Sequence, residues 1–203
     1  MKRLLTAVLA ASACWAFATA VAAEPFEAFL DLCFANNAQV QAVDAAAKRA
    51  GWSAAPEELR AALAEEFRDP IAYLNTPIEQ VLDKNADALE ILVAGSGDGG
   101  TVMGVSGLKV DLCMILNAAD NSETLKNQFK NRIGLAPTDI KDEQMQGWLF
   151  SRSPSGFASE AALLEMDDAE AVKAVRRKPL YLAFVVAEDG FSGLAFAVVT
   201  SVD

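Results

Sequence analysis

The sequence predicts an α+β fold in which N-terminal helices pack on a mainly antiparallel sheet and one disulfide ties the two together. Three observations carry this expectation. Apolar residues at helical spacing crowd the early part of the chain, and alternating or continuous apolar runs joined by turn signals crowd the later part. The three cysteines fall to two once an N-terminal export signal is set aside.

That signal occupies residues 1–23. Lys2 and Arg3 precede an uncharged apolar run that ends in the small residues Val21-Ala22-Ala23, the pattern for cleavage before Glu24. Two rival readings exist: Leu4 to Ala23 is long enough to span a bilayer uncleaved, and Ala11-Ser12-Ala13-Cys14 resembles a lipoprotein processing site. Ala11 is an unusual residue at its place in such a site, and the residues after Cys14 are apolar rather than a polar tether. Cleavage at Ala23 is the expectation adopted, with a periplasmic or secreted product comprising a single globular domain over residues 24–203. A length of about 180 residues suits one domain with a sizeable core.

Helices should come first. Phe26, Phe29, Leu30, Cys33 and Phe34 share one helical face. After Asn36-Asn37 a second helix should end at Gly51, with Trp52 packing back as the apolar partner of a glycine cap. Pro56 opens a third, striped by Leu59, Leu63 and Phe67. Thr76-Pro77-Ile78-Glu79 has capping-box spacing for a fourth, so the first half of the mature chain reads as helical.

Strands should follow over 88–94, 101–105 and 108–117, joined by Gly95-Ser96-Gly97-Asp98-Gly99-Gly100 and by a bend at Ser106-Gly107. Asp120 and Glu123 set a capping box for a helix with the stripe Leu125, Phe129 and Ile133, closed by Gly134. Residues 143–150 read as a strand, 159–166 fit helix or strand, and 168–177 form a short helix capped by Asp167. Two apolar runs around Asp189-Gly190 give the strongest hairpin signal in the chain.

Within 108–117, Leu108, Val110, Leu112, Met114 and Leu116 make one apolar face, while the other runs Lys109, Asp111, Cys113, Ile115, Asn117. The second face starts wet and turns dry at Cys113, so something must cover its far end. In an oxidising compartment the default is a bond to Cys33, which lays the first helix across this face; two buried free thiols are the alternative.

The order Cys33, Gly51-Trp52, then a strand-borne Cys113 followed by a capped helix resembles a set of small exported bacterial proteins with no assigned activity, over roughly residues 26 to 135. The resemblance implies export, the disulfide and the α+β architecture. It brings no activity, cofactor or site residue with it.

The chemistry is narrowed by what the chain lacks. With no histidine, Ser-His-Asp and Cys-His nucleophiles and histidine-bearing zinc sites are excluded. A Ser-Lys pair, a carboxylate pair or a metal held by oxygens remains. The glycine-rich run at 95–100 lacks the Lys-Ser/Thr end of a phosphate loop and carries a single acid, so it reads as a hairpin connection. Glu165, Asp167, Asp168 and Glu170 read as a helix cap and solvated first turn rather than a calcium site. Accordingly, the sequence assigns no catalytic residue, cofactor or metal ligand.

Seventeen basic residues against 28 acidic ones give a net charge of −11, which becomes −13 when Lys2 and Arg3 leave with the signal. Such a chain repels phosphate backbones, which argues against nucleic acid as a partner. One stretch suggests contact: Ser151-Arg152-Ser153-Pro154-Ser155-Gly156-Phe157-Ala158 reads as a loop bearing Arg152 and Phe157, residue types that anchor interfaces. The plainer reading is an ordinary connection with Phe157 tucked into the core. The expectation is an exported, non-enzymatic binding or interaction protein with an unknown protein or small-molecule partner. The alternatives are a hydrolase using serine or carboxylate chemistry and a membrane-anchored envelope component.

Overall fold

The computed structural model describes residues 24–76, 89–98, 105–119, 121–140, 145–188 and 191–202. The export signal, the helix expected after Thr76, residues 101–104 of the strand expected at 101–105, Asp120 and the Asp189-Gly190 turn lie outside them, as do the glycines at 99 and 100.

The chain opens with α1 (Pro25–Phe29), which runs directly into a π-helical turn over Leu30–Phe34. A wider turn advances by less than the usual ~100° per residue, which swings Phe34 to the centre of the buried face and leaves Leu30 at its edge. Accordingly Phe26, Phe29, Cys33 and Phe34 are buried, and Leu30 only partly so. Helix α2 (Val40–Arg49) ends as its sequence predicts. Gly51 adopts φ 80°, its N–H reaches the Lys48 carbonyl, and the Trp52 N–H closes on Ala47 at 3.0 Å.

Next come β1 (Ser53–Ala54), α3 (Glu57–Leu63) and β2 (Arg68–Leu74). These strands correct the expectation of a wholly helical first half. The backbone is irregular at Asp69-Pro70: Asp69 sits at φ 51° and the register with the next strand shifts between Arg68 and Ile71. Pro70 is tolerated because the two-residue β1 pairs only with Tyr73 and Leu74. Leu59 and Leu63 pack together at this edge, whereas Phe67 joins a separate apolar cluster farther along the same face of the sheet, over Gly95.

Strand β3 (Glu90–Asp98) pairs along its full length with β4 (Leu108–Asn117). Residues 95–98 are therefore strand rather than connection. Gly95 is required there because a Cβ would fall 2.6 Å from the Cβ of Phe67, and Ser96 donates to Asp111 at 2.6 Å. Helix α4 (Ser122–Ile133) buries Leu125, Phe129 and Ile133 and closes at Gly134 with φ 70°. After it come β5 (Thr138–Ile140), β6 (Met145–Ser153), β7 (Gly156–Ser159), a 3₁₀ turn (Ala161–Glu165), α5 (Asp168–Val175), β8 (Leu180–Glu188) and β9 (Phe191–Ser201). Asp167 caps α5 by accepting the Glu170 N–H at 2.9 Å.

All pairings are antiparallel, in the order β1-β2-β3-β4-β9-β8-β6-β5 with β7 beside β6. The α+β architecture is as the sequence predicts. α1, its π turn, α2 and α4 cover one face; Phe67, the 3₁₀ turn and α5 cover part of the other. Cys33 and Cys113 are bonded with Cα atoms 5.4 Å apart and both are fully buried, so the first helix does lie on the second face of β4.

At one end of the helix-covered face, Glu90, Asn117 and Ser192 form a buried row across β3, β4 and β9. The Ser192 hydroxyl lies among acceptors on Asn117, Ala119 and Asn121 and receives the Asn121 N–H at 3.1 Å. Burial pushes the Glu90 carboxyl up from 4.5 to about 7, against a hydrogen bond from Asn75 that pulls it down. The fold therefore keeps a proton that the unfolded chain loses above about 4.5, and stability falls as pH rises toward 7. Glu90→Gln should remove this dependence and stabilise the protein at pH 8 by roughly 2 kcal/mol. Denaturant midpoints of both proteins at pH 5 and 8 check this; an unchanged difference between them would sink it.

Candidate functional site

Arg152 and Phe157 do not lie on a loop. Residues 151–153 end β6, 156–158 lie in β7, and the connection shrinks to Pro154-Ser155, with Gly156 at φ 125°. Arg152 and Phe157 face each other directly across this hairpin, so both project toward the covering helices. Phe157 packs on Phe34 and Phe150, with centroids 6.0 and 5.7 Å away.

Arg152 has an unusual setting. Its guanidinium carbon lies 4.0 Å from the ring centre of Phe34, 4.4 Å from that of Tyr181 and 5.2 Å from that of Phe196. Cation–π contacts of this kind contribute about 0.5–2 kcal/mol, more as water is excluded. Nη1 donates to Asn37 Oδ1 at 2.6 Å and Nη2 to the Phe34 carbonyl at 3.3 Å. Phe34 ends the π turn and Asn37 lies in the segment that follows it, where Asn37 and the fully buried Ala38 adopt φ values of 50° and 53°. A left-handed backbone at alanine costs about 1 kcal/mol or more, and Arg152 is one of the groups that hold it.

Among the described residues no carboxylate balances this charge. Burial holds the Arg152 guanidinium below the ordinary arginine range; Tyr181 opposes the shift and the nearby positive charge of Arg132 adds to it. Among the described residues, Arg152 Nε is one of two buried side-chain polar atoms without a hydrogen-bond partner. The other, Arg60 Nε, belongs to a guanidinium paired with Glu57, so the uncompensated cation is Arg152.

A groove of about 970 Å³ opens beside it. Phe26, Glu27, Leu30 and Asp31 form the wall from α1 and the π turn, and Gln128, Asn131 and Arg132 the wall from α4. Phe34, Ala35 and Arg152 lie between them. The volume is within the range of small-molecule sites, ~300–1,000 Å³. The helix stripes announce the apolar part of this lining. Gln128, Asn131 and Arg132, by contrast, read in sequence as a solvated helix face, and nothing local says that α1 will lie opposite them.

A second cluster sits on the reverse face of the same strand. Ser151 Oγ donates to Glu160 Oε1 at 2.6 Å, and Lys178 Nζ lies 3.2 Å from Ser151 Oγ and also bonds Glu160. This is a Ser-Lys pair of the kind the composition leaves open. Its geometry is that of an ion pair: Ser151 is only 6% exposed and gives its proton to Glu160. Although burial pushes the Glu160 carboxyl up, the bonds from Lys178 and Ser151 bring it below its ordinary value. A lysine engaged by a carboxylate is not placed to take the serine proton.

Among the described residues no group of three or more acids or cysteines is placed to hold a metal, and no helix is long and apolar enough to cross a membrane. No protein-family model, curated protein or solved structure matches this chain. The groove has to be interpreted from its own residues.

Proposed function

We propose that this is an exported binding protein that takes its ligand in the groove between α1 and α4. The observation that carries the reading is Arg152, a partly buried cation with no counter-charge among the described residues, beside a groove of ligand-sized volume. A buried charge is costly unless paired, and a groove that admits a partner to it is a functional arrangement rather than a packing one. The Cys33–Cys113 bond supports export, because such bonds persist in oxidising compartments.

Hydrolysis is the second reading, and Ser151 with Lys178 is the observation in its favour. It is the weaker one, since the serine is covered and the lysine is neutralised by Glu160 rather than freed by it.

Expression with the native N-terminus, osmotic shock and N-terminal sequencing should find a soluble product starting at Glu24. Native mass spectrometry of that product should show a retained small molecule that is lost from Asn131→Trp, a change that fills the groove from its α4 wall. Recovery only in membranes with residues 4–23 attached would refute cleavage and release, and equal retention by the tryptophan variant would refute the groove.

A further inference from the structure

Resting on that reading, we infer that the groove binds an organic carboxylate, its anionic end held by Arg132 and Arg152 and its apolar body against Phe26, Leu30 and Phe34. Both guanidiniums line the same groove. They are close enough for the charge of Arg132 to oppose the protonation of Arg152. In a chain with 28 acids and 17 bases, two arginines lining one groove stand against the composition. Neither makes an ion pair among the described residues.

The guanidinium is a planar fork that fits a carboxylate, and the aromatic rings around Arg152 hold its plane in place. Asn37 and the Phe34 carbonyl occupy one Nη each, which leaves N–H groups for an incoming anion. Gln128 and Asn131, one turn apart from Arg132 or adjacent to it on α4, add neutral donors on the same wall. Glu27 and Asp31 fix the orientation: they repel an anion from the α1 wall, so the acid group faces α4 and the apolar body faces α1.

The test uses 3-phenylpropionate, its primary amide and 3-phenylpropylammonium, titrated into the disulfide-intact protein and followed by ¹H–¹⁵N spectra that include arginine Nε–H signals. The carboxylate should shift the Arg132 and Arg152 Nε–H resonances saturably and bind about tenfold tighter than the amide. Arg132→Gln should lower its affinity about tenfold and leave that of the amide unchanged, because Arg132 is exposed and the amide carries no charge for it to meet. A short acetylated peptide ending in phenylalanine, compared with its C-terminal amide, separates a peptide terminus from a free small acid as the source. Binding of amide and acid within twofold, or an unaffected Arg132→Gln, would overturn the carboxylate assignment and leave the groove reading standing. If none of the probes moves a groove resonance, both fall.

Discussion

Breaking the Cys33–Cys113 bond is expected to lower stability by about 2–5 kcal/mol without dismantling the sheet. The bond closes a loop of 80 positions, for which the chain-entropy model gives about 4.5 kcal/mol before any strain is subtracted. Both sulfurs are fully buried between the π turn and the centre of β4, so replacing either cysteine by alanine breaks the same bond at the same place. Cys33→Ala, Cys113→Ala and the double variant should therefore destabilise to a similar extent, rather than additively. Chemical denaturation of the three variants, with and without reductant, decides it. Additive losses, or full labelling of both thiols in the unreduced native protein, would contradict the pairing. The sheet should survive because its nine described strands are hydrogen-bonded independently of this link. What should loosen is α1 and its π turn, and with them the Phe26 and Leu30 wall of the groove.

How far the sequence discloses this arrangement depends on the range of the interaction involved. Gly51 with Trp52, Gly134 with the Leu125, Phe129 and Ile133 stripe, and Asp167 as a cap are local signals, and each is where the pattern puts it. The disulfide is legible because one face of β4 changes from wet to dry at Cys113, and because Cys33 lies on an apolar helical stripe. Long-range partners override local signals elsewhere. Gly95 to Asp98 look like a turn, yet they are strand because Phe67 lies over Gly95 and β4 pairs with them. β2 is hidden by Asp69-Pro70, whose disruption is confined to a bulge. Arg152 and Phe157 are visible as unusual residues near a turn, but their roles depend on Phe34, Asn37, Tyr181 and Phe196, which arrive from distant parts of the chain. The groove is harder still, since one wall precedes the sheet in sequence and the other interrupts it.

Phe129→Ala is expected to cost about 3–5 kcal/mol, because its ring is the central contact of the buried α4 stripe with the core beneath it. Phe129 is fully buried and meets Phe29 and Phe34 edge-on, each with centroids 5.8 Å away, and Trp148 at 4.9 Å. Trp148 in turn donates its indole N–H to the Leu135 carbonyl just beyond the helix, so the C-terminal half of α4 is fastened from both sides. A side chain truncated there leaves a void that rigid sheet residues cannot close, whereas Phe129→Leu fills most of it and should cost roughly 1–2 kcal/mol. The groove gives the change a second consequence, since Gln128, Asn131 and Arg132 stand on the same helix. In Phe129→Ala, amide exchange should quicken along 122–133 and 3-phenylpropionate should bind more weakly even where the protein remains folded. Phe29 and Phe34 lie on either side of the disulfide-bearing turn, so the two walls form one packed unit across Phe129. A double-mutant cycle between Phe34→Ala and Phe129→Ala should then show a coupling of about 0.5–1.5 kcal/mol. Strict additivity would mean that the walls are anchored separately, and that the disulfide on one side says nothing about the geometry of the arginine on the other.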